Sequence, residues 1–433
     1  MNGVAVGVDF GTSNTVAAFP GDATGLPARI VTVDPDGNDQ RLFRSVLFSP
    51  ASDSSQADTT YWFAGGQAIQ RYLDDGAGRL LQSVKSFLHS PSFTRTTVRG
   101  KGFTIEELVA LMLTPLRNRI EKEGEGSIVR AVFGRPAVFH PDPQRDALAE
   151  ERLRRAVLLA GFPEPTFMIE PIAAALRYEE QLTDDETVLV GDFGAGTSDF
   201  TLMRLGPGRG AGSRKQDVLA AGGIRIGGDR FDAAVVEHLL LPRFGAGSSY
   251  KTLSSRMTLP PWITRTLLSW HELFLLREPS TLDFLRHARR TTDQPRAMDN
   301  LITLVEDNLA YHLYRAVEAA KRELSDQARA QLRFHVGGIE IEESITRPDF
   351  DAWTAPLRQA LLLKVNEVLS QAGGKVPDTV FLTGGTSYIP AVRADFAHLF
   401  GEDKLRGGEG LTAVAAGLGR AAGFSDTSRW ERK

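Results

Sequence analysis

Short runs of apolar residues that end in glycine turns recur along the chain. Residues 4–7 form one such run and lead into Asp-Phe-Gly-Thr-Ser-Asn at 9–14, after which apolar and β-branched positions resume at 15–19. Buried strands tend to be continuously apolar, and glycine supplies the backbone freedom of a tight turn. The pattern therefore predicts a strand, a glycine turn and a second strand.

The same unit occurs again in the middle of the chain. Residues 187–190 are β-branched or apolar, Asp-Phe-Gly-Ala-Gly-Thr-Ser-Asp follows at 192–199, and residues 200–205 are again mostly apolar. A repeat at this long spacing indicates a duplicated domain rather than the short period of a solenoid. The cleft between two equivalent halves is then the candidate site.

Helical patterns lie between and after these predicted hairpins. Thr104 and Glu107 have the spacing of a capping box ahead of residues 108–120, and residues 144–160 are apolar at helical intervals. Strands that alternate with helices favour an α/β fold.

Composition narrows the classes of function. The 433 residues carry a formal net charge of −4 and no cysteine. This balance argues against a nucleic-acid partner, and the missing thiols exclude disulfides and thiolate metal sites. The eight histidines are scattered. No apolar run is long enough for a membrane span and the start lacks a signal-peptide pattern, so we expect a cytoplasmic location.

The paired turns fit phosphate binding. Backbone N–H groups can converge on phosphate oxygens where glycine allows close approach, and Asp9 and Asp192, at the two strand ends, suit a hydrated Mg²⁺. Either turn alone is more commonly an ordinary β-turn, but the pair favours a nucleotide site. The P-loop signature and a dinucleotide fingerprint after the first strand are both absent.

Further motifs resemble the ATPase module of DnaK-type heat-shock chaperones, in the superfamily of actin and sugar kinases. They are Glu-Pro-Ile-Ala-Ala-Ala-Leu at 170–176, Gly-Gly-Asp-Arg-Phe-Asp at 227–232, Glu-Ala-Ala-Lys-Arg-Glu-Leu-Ser at 318–325 and Gly-Gly-Thr-Ser-Tyr-Ile-Pro at 384–390. The motifs run in order along nearly the whole chain. The chain resembles a truncated branch of the family without a peptide-binding domain.

The resemblance implies an α/β, actin-like ATPase fold with two duplicated RNase H-like lobes around a nucleotide cleft. The expected boundaries are lobe I at 1–183 with a small subdomain inserted at about 34–124, and lobe II at 184–433 with a small subdomain at about 223–345. The final helix is expected to pack back on lobe I. The implied ligands are ATP or ADP and Mg²⁺.

The resemblance also implies roles for residues. The phosphate-binding set is Gly11, Thr12, Ser13, Asn14, Gly194, Ala195, Gly196 and Thr197. The catalytic set is Lys85, Glu170, Asp192, Thr197 and Asp199, with Asp9 and Asp192 for the metal. Lys85 matches the lysine directed at the γ-phosphate, and Glu170, held rigidly before a proline, would orient or deprotonate the attacking water. Their alternatives are a solvated lysine and a charge at a helix N-terminus.

The implied adenosine site draws on three motifs. Its members are Gly227, Gly228, Glu318, Lys321, Arg322, Ser325, Gly384, Gly385, Thr386 and Tyr388. An arginine can stack on adenine, although a Lys-Arg pair on a helix is more often a solvated face. Three positions depart from the family: Ala195 replaces a glycine, which requires a negative φ, Tyr388 replaces an arginine, and Leu411 falls where the family often has an aspartate.

Residues 244–299 have no counterpart in a typical chaperone ATPase module. We expect them to be largely helical, because long structureless loops are uncommon. Their aromatic residues indicate core packing or, alternatively, a surface for an unknown protein partner.

The predicted function of the whole chain is a slowly hydrolysing ATP switch. The alternatives are a bacterial-actin-like filament former and a small-molecule kinase. The kinase is a poor fit, because Glu170 lies directly before a proline.

Overall fold

The computed structural model describes residues 3–424 apart from 22–26, 36, 38, 52–61, 76–77, 208–215, 253 and 408–409, and without the side chains of 270, 271 and 274. The chain divides into two compact units. The first contains Met1–Gly227, Ala360–Tyr388 and Val392–Lys433, and the second contains Gly228–Gln359 and Ile389–Ala391. None of the described helices is long and apolar enough to cross a membrane.

The strands and helices are as follows. The strands are β1 Gly3–Phe10, β2 Asn14–Phe19, β3 Arg29–Ile30, β4 Phe43–Arg44, β5 Val46–Pro50, β6 Phe63–Ala64, β7 Gly78–Gln82, β8 Thr96–Val98, β9 Lys101–Phe103, β10 Ser127–Arg135, β11 Thr166–Ile169, β12 Glu186–Phe193, β13 Ser198–Leu205, β14 Val218–Ile224, β15 Ser249–Lys251, β16 Arg256–Thr258, β17 Arg329–Val336, β18 Ile339–Thr346, β19 Thr379–Thr383 and β20 Leu405–Gly407. The helices are α1 Gly66–Asp75, α2 Ile105–Glu123, α3 Pro143–Leu159, α4 Glu170–Glu179, α5 Gly228–Val235, α6 Pro261–Arg265, α7 Pro279–Arg289, α8 Pro295–Glu306, α9 Ala310–Asp326, α10 Arg347–Gln371, α11 Pro390–Phe400 and α12 Ala413–Ala422.

Two sheets in the first unit have the same topology. One has the order β11-β10-β1-β2-β3, and the other has the order β20-β19-β12-β13-β14. In each sheet three successive strands pair antiparallel, a later strand pairs in parallel with the first of them, and one more strand pairs in parallel with that later strand. The hairpin repeat in the sequence thus extends to two equivalent five-strand arrangements.

The elements that the sequence predicts are present with small changes in their ends. Both glycine-turn hairpins form, as β1–β2 and β12–β13. The capping box of α2 is also present, because Thr104 Oγ1 accepts from the Glu107 backbone and Glu107 Oε2 accepts from the Thr104 backbone. These patterns are local, so neighbouring residues alone determine them.

Helix α12 packs against β1 and α4 through glycines. A Cβ on Gly417 would lie 1.7 Å from Ala173 O, and a Cβ on Gly7 would lie 2.1 Å from Gly419 N. The apolar residues of α12 and α4 share one core cluster, which includes Leu418. Glycine is therefore required where these backbones meet.

This close contact gives a stability prediction. Gly417→Ala should lower the free energy of unfolding, because the methyl group would overlap a backbone carbonyl. Overpacking typically costs about 1–3 kcal/mol, and we expect a decrease at or beyond the upper end of that range. The measurement is urea unfolding followed by circular dichroism. Gly385→Ala is the control, since a Cβ there meets no atom within 4 Å. Equal unfolding midpoints for the two variants would contradict the prediction.

The second unit contains α5 to α9, the β15–β16 and β17–β18 hairpins and the first part of α10. Within it, the expected helical character of residues 244–299 is borne out by α6, α7, the start of α8 and several 3-10 turns, with one small hairpin. Phe244 is fully buried, and Tyr250 makes an edge contact with Phe284 at 5.5 Å between ring centroids. Trp262, by contrast, is 54% exposed. These aromatics serve mainly as core, and the partner surface stays a prediction.

Candidate active site

The first glycine turn joins β1 to β2 and is held by the β4 segment. A Cβ on Gly11 would lie 2.2 Å from Asn14 O, so the turn requires glycine. Ser45 donates from its backbone to Ser13 O at 3.0 Å and from its hydroxyl to Gly11 O at 2.7 Å. Arg44 Nη1 donates to Asn14 Oδ1 at 2.9 Å. The sequence motifs did not single out Arg44 and Ser45, because their contacts depend on strand pairing.

The second glycine turn joins β12 to β13 and lies near the first. A Cβ on Gly196 would be 3.6 Å from Thr12 Oγ1, which brings the two turns together. Ala195 does not have a positive φ, so its methyl group fits without the strain of the left-handed region. A Cβ on Gly227 would lie 2.5 Å from Ala195 O, so Gly227 packs closely on this turn.

Lys85 and Glu170 form a buried ion pair beside these turns. Lys85 Nζ lies 2.9 Å from Glu170 Oε1, and each side chain is 10% exposed. Ser83, with φ of 52°, turns the chain from β7 into the 3-10 helix that carries Lys85. Glu170 begins α4, where a negative charge is favourable, and a Cβ on Gly134 would lie 3.0 Å from its Cγ. The sequence did not indicate that the two predicted residues would pair.

Three aspartates surround this ion pair. Asp9 and Asp192 occupy the second-last positions of β1 and β12, and Asp199 is paired opposite Asp192 in the β12–β13 register. Burial raises the pKa of Asp9 to about 7, with the charge of Glu170 adding to the rise and Lys85 opposing it. Burial and then the neighbouring carboxylates also raise the pKa of Asp192 well above its ordinary value.

Asp199 accepts hydrogen bonds from the protein, but its buried position disfavours the charged carboxylate. Its Oδ1 accepts from the Ala137 backbone at 2.8 Å. Burial, and after it the charge of Glu170, raise its pKa to about 7, although hydrogen bonds from Thr197 and Ala137 and the charge of Lys85 act to lower it. Burial alone would lower the pKa of Lys85, but Glu170 and the aspartates outweigh it and raise that pKa.

The carboxylates fit a hydrated divalent cation. The described residues contain no group of three or more acidic or histidine side chains placed as direct metal ligands. Mg²⁺ commonly keeps several waters and binds through one or two carboxylates together with phosphate oxygens. The buried, mutually repelling carboxylates of Asp9 and Asp192 suit such an ion, because its charge would relieve their repulsion.

The glycine turn after β19 lies against the end of β12. Gly384 has φ of 84°, and a Cβ there would lie 2.2 Å from Phe193 O, so only glycine fits. The backbone N–H of Gly384 donates to Gly410 O at 2.8 Å, and Tyr388 OH accepts from Gly410 N at 3.3 Å. Gly385 and Thr386 belong to the same turn. Tyr388 is 52% exposed.

The other predicted adenosine residues, apart from Gly227, lie in the second unit. Lys321 Nζ lies 2.7 Å from Asp232 Oδ1 and 3.3 Å from Gly228 O, so it ties α9 to the start of α5. Arg322 pairs with Glu318 at 2.6 Å and is largely exposed. Ser325 lies one turn further along α9. The prediction that these residues and the Gly384 turn enclose one base stays a prediction, because the two sets belong to different units.

Sequence reasoning also missed a cluster of basic groups after Lys85. His89 stacks on His140 at 5.0 Å between ring centroids, and Arg225 Nη1 lies 2.9 Å from His89 Nε2. Burial, and after it the charges of Arg225, His140 and Arg145, together lower the pKa of His89 to about 4. The scattered histidines of the sequence gave no sign of this pairing.

This cluster predicts a pH effect on stability. The pKa of His89 is about 4 in the folded protein, and its ordinary value is 6.5. As the pH falls, the unfolded chain therefore binds a proton at His89 before the folded protein does. The contribution of this group to stability is complete above pH 6.5 and is lost as the pH falls toward 4. Arg225→Gln should raise the pKa of His89 and reduce that loss. An NMR titration of the imidazole and urea unfolding across this range measure both, with Arg155→Gln as control. An unchanged His89 pKa would refute the cluster's role.

Comparisons with known proteins agree with this architecture. The chain matches a family model described as Hsp70 protein over residues 80–258 and 289–427. It is 26% identical over 422 residues to the chaperone protein DnaK of Thermosipho africanus, covering 95% of this chain and 57% of that protein. The DnaK of Thermosipho melanesiensis is 25% identical, with 95% and 58% covered.

The chain therefore spans less than two thirds of the length of these relatives. The residues between the two matched segments, 259–288, lie inside the stretch 244–299 that the sequence sets apart. The matched segments cover most of the chain, and the two equivalent sheets agree with the predicted actin-like ATPase fold, which is confirmed. This protein belongs to the Hsp70 family.

Proposed function

We propose that this protein binds ATP with Mg²⁺, hydrolyses it slowly and acts as a nucleotide switch of the chaperone type. The observation that carries the proposal is the buried Lys85–Glu170 pair, placed among three aspartates beside two glycine turns. The relatives are named as chaperone proteins. The chain covers little more than half of the length of each relative. Binding of a client protein and a cytoplasmic location are therefore parts of this proposal.

The two glycine turns are proposed to hold the phosphates. Their backbone N–H groups offer donors in the form of a concave anion site. The residues assigned to this role are Gly11, Thr12, Ser13, Asn14, Gly194, Ala195, Gly196 and Thr197. The nearness of Gly196 to Thr12 supports a joint role for the two turns.

Glu170 is proposed to orient the attacking water and to accept its proton. The water oxygen bonds to the γ-phosphorus, the bond from that phosphorus to the bridging oxygen breaks, and ADP leaves with that oxygen. Lys85 fixes the Glu170 carboxylate and places a positive charge near the γ-phosphate, where it offsets the charge of the transferring group. Thr197 and Asp199 position water at the same edge of the sheet.

Asp9 and Asp192 are proposed to hold Mg²⁺ through its waters, and the ion would neutralise phosphate charge. Two buried carboxylates at equivalent strand ends support this assignment. The adenosine moiety is assigned to Gly227, Gly228, Glu318, Lys321, Arg322, Ser325, Gly384, Gly385, Thr386 and Tyr388. Of these, Arg322 and Tyr388 have exposed side chains with flat groups that suit stacking on a base.

The test is calorimetric titration with ATP and ADP, with and without Mg²⁺, followed by single-turnover hydrolysis of the bound ATP. We expect Mg²⁺-dependent binding and a slow single turnover. Absence of nucleotide binding would refute the proposal, and tight binding without hydrolysis would refute its catalytic half. Sedimentation of the same samples tests the alternative, because nucleotide-dependent pelleting would favour a filament former over a switch.

A further inference from the structure

A cavity in the first unit is lined by residues that are not among those assigned to the nucleotide. It lies beside the C-terminal end of α4 and the edge strand β20, and its volume is about 260 Å³. The residues that line it are Arg177, Tyr178, Gln181, Phe381, Arg393, Leu405, Arg406 and Gly407. This volume is slightly below the range of about 300–1,000 Å³ for pockets that bind drug-sized ligands, so the cavity suits a small molecule.

The inner wall of the cavity is apolar and rigid. Tyr178 and Phe381 stack with ring centroids 5.1 Å apart and an interplanar angle of 29°. Each is 8% exposed, and Leu405 is 4% exposed. All three belong to regular elements, α4, β19 and β20. A flat apolar group could therefore rest here without rearrangement of the backbone.

Three arginines line the cavity beside this wall, and the described lining residues include no acidic one. Arg177 pairs with Glu180, and Arg393 pairs with Glu402 at 2.9 Å. The Arg393 and Glu402 side chains are 43% and 66% exposed, so this pair is weak and an incoming anion can replace it at little cost.

Arg406 differs from the other two arginines. Its Nη1 donates to the backbone carbonyls of Asp403 and Leu405, the latter at 3.1 Å. Among the residues that the structure describes, no carboxylate lies within ion-pair distance of it. Burial raises the pKa of the Tyr178 hydroxyl most, and the Glu186 carboxylate, which accepts from it at 3.3 Å, also raises it, whereas Arg406 lowers it. A guanidinium that is fixed by carbonyls at the mouth of a cavity, and that has no ion-pair partner among the described residues, is suited to an anion.

We propose that this cavity binds a small organic anion that carries two or more carboxylate or phosphate groups on a flat apolar body. The body would lie on the Tyr178 and Phe381 wall, Arg406 would bind one anionic group, and Arg393 would bind a second. This site does not depend on nucleotide binding, so it can be tested on the protein without nucleotide.

The test is calorimetric titration with benzene-1,3,5-tricarboxylate, with citrate and inorganic phosphate as comparison probes. The aromatic tricarboxylate should bind more tightly than citrate because of the apolar wall, and its affinity should fall with added salt. Arg406→Gln should weaken it about tenfold or more, as expected for the loss of a hydrogen bond between charged groups. Arg286→Gln, which removes an exposed charge on α7 of the second unit, should leave it unchanged.

Other results would overturn the proposal. Equal affinities of the Arg406→Gln and Arg286→Gln proteins would mean that binding occurs elsewhere or follows net charge alone. Phosphate that binds as tightly as the aromatic tricarboxylate would remove the role of the apolar wall, and absence of binding by all three probes would refute the site. Circular dichroism of both variants verifies that they fold, which is expected because both arginines are exposed.

Discussion

Glu170→Gln is expected to slow single-turnover hydrolysis of bound Mg²⁺-ATP by about 10²–10⁴-fold, the usual contribution of a general base. Glutamine keeps the size of the side chain, so it fits against Gly134, but it cannot accept the proton of the attacking water. Nucleotide affinity should change little, because the phosphates are assigned to the backbone of the two turns. Rapid-quench measurement of phosphate release, with affinity from calorimetry, separates the two effects.

Glu151→Gln is the matched control for this substitution. Glu151 lies on the exposed face of α3 and pairs only with Arg155 at 2.7 Å among the described residues. Its loss should leave the rate unchanged. A Glu170→Gln protein that hydrolyses at the unaltered rate would show that Glu170 serves as the partner of Lys85 and not as the base.

Lys85→Met should be the most destabilising of the substitutions proposed. Removal of one partner from a buried ion pair typically costs about 3–5 kcal/mol, because the remaining charge is buried without compensation. Here the lysine also faces Asp9 and Asp199, so its loss leaves a group of buried carboxylates with no cation. Urea unfolding of the nucleotide-free protein measures the change in the free energy of unfolding.

Two further variants make this test specific. Arg155→Met breaks the exposed pair on α3 and should cost at most about 0.5 kcal/mol. The double variant Lys85→Met/Glu170→Gln should recover part of the loss, since it removes one of the unpaired charges. A Lys85→Met protein as stable as Arg155→Met would contradict the prediction. It would mean that the aspartates are protonated in the folded protein, so that they carry no negative charge for Lys85 to neutralise.

The hairpins, the capping box of α2 and the glycine turns could be predicted because each depends on residues that are neighbours in sequence. Asp9 and Asp192 were identified as site residues from their place after apolar strands, and the structure brings them together with Lys85 and Glu170. The pairing itself was not predictable. Lys85 and Glu170 are 85 residues apart, and their contact depends on how α4 and the 3-10 helix pack.

The remaining features also depend on tertiary packing. The His89–Arg225 contact joins residues 136 positions apart, and the arginine-lined cavity combines α4 with β19, β20 and α11. Glycine spacing and apolar runs report local backbone geometry, whereas a pKa, an ion pair or a cavity depends on which distant groups share a low-dielectric environment. The sequence by itself determined the duplicated α/β design and the residues at its strand ends; only the tertiary structure decided which charges face one another, because burial makes those charges interact strongly.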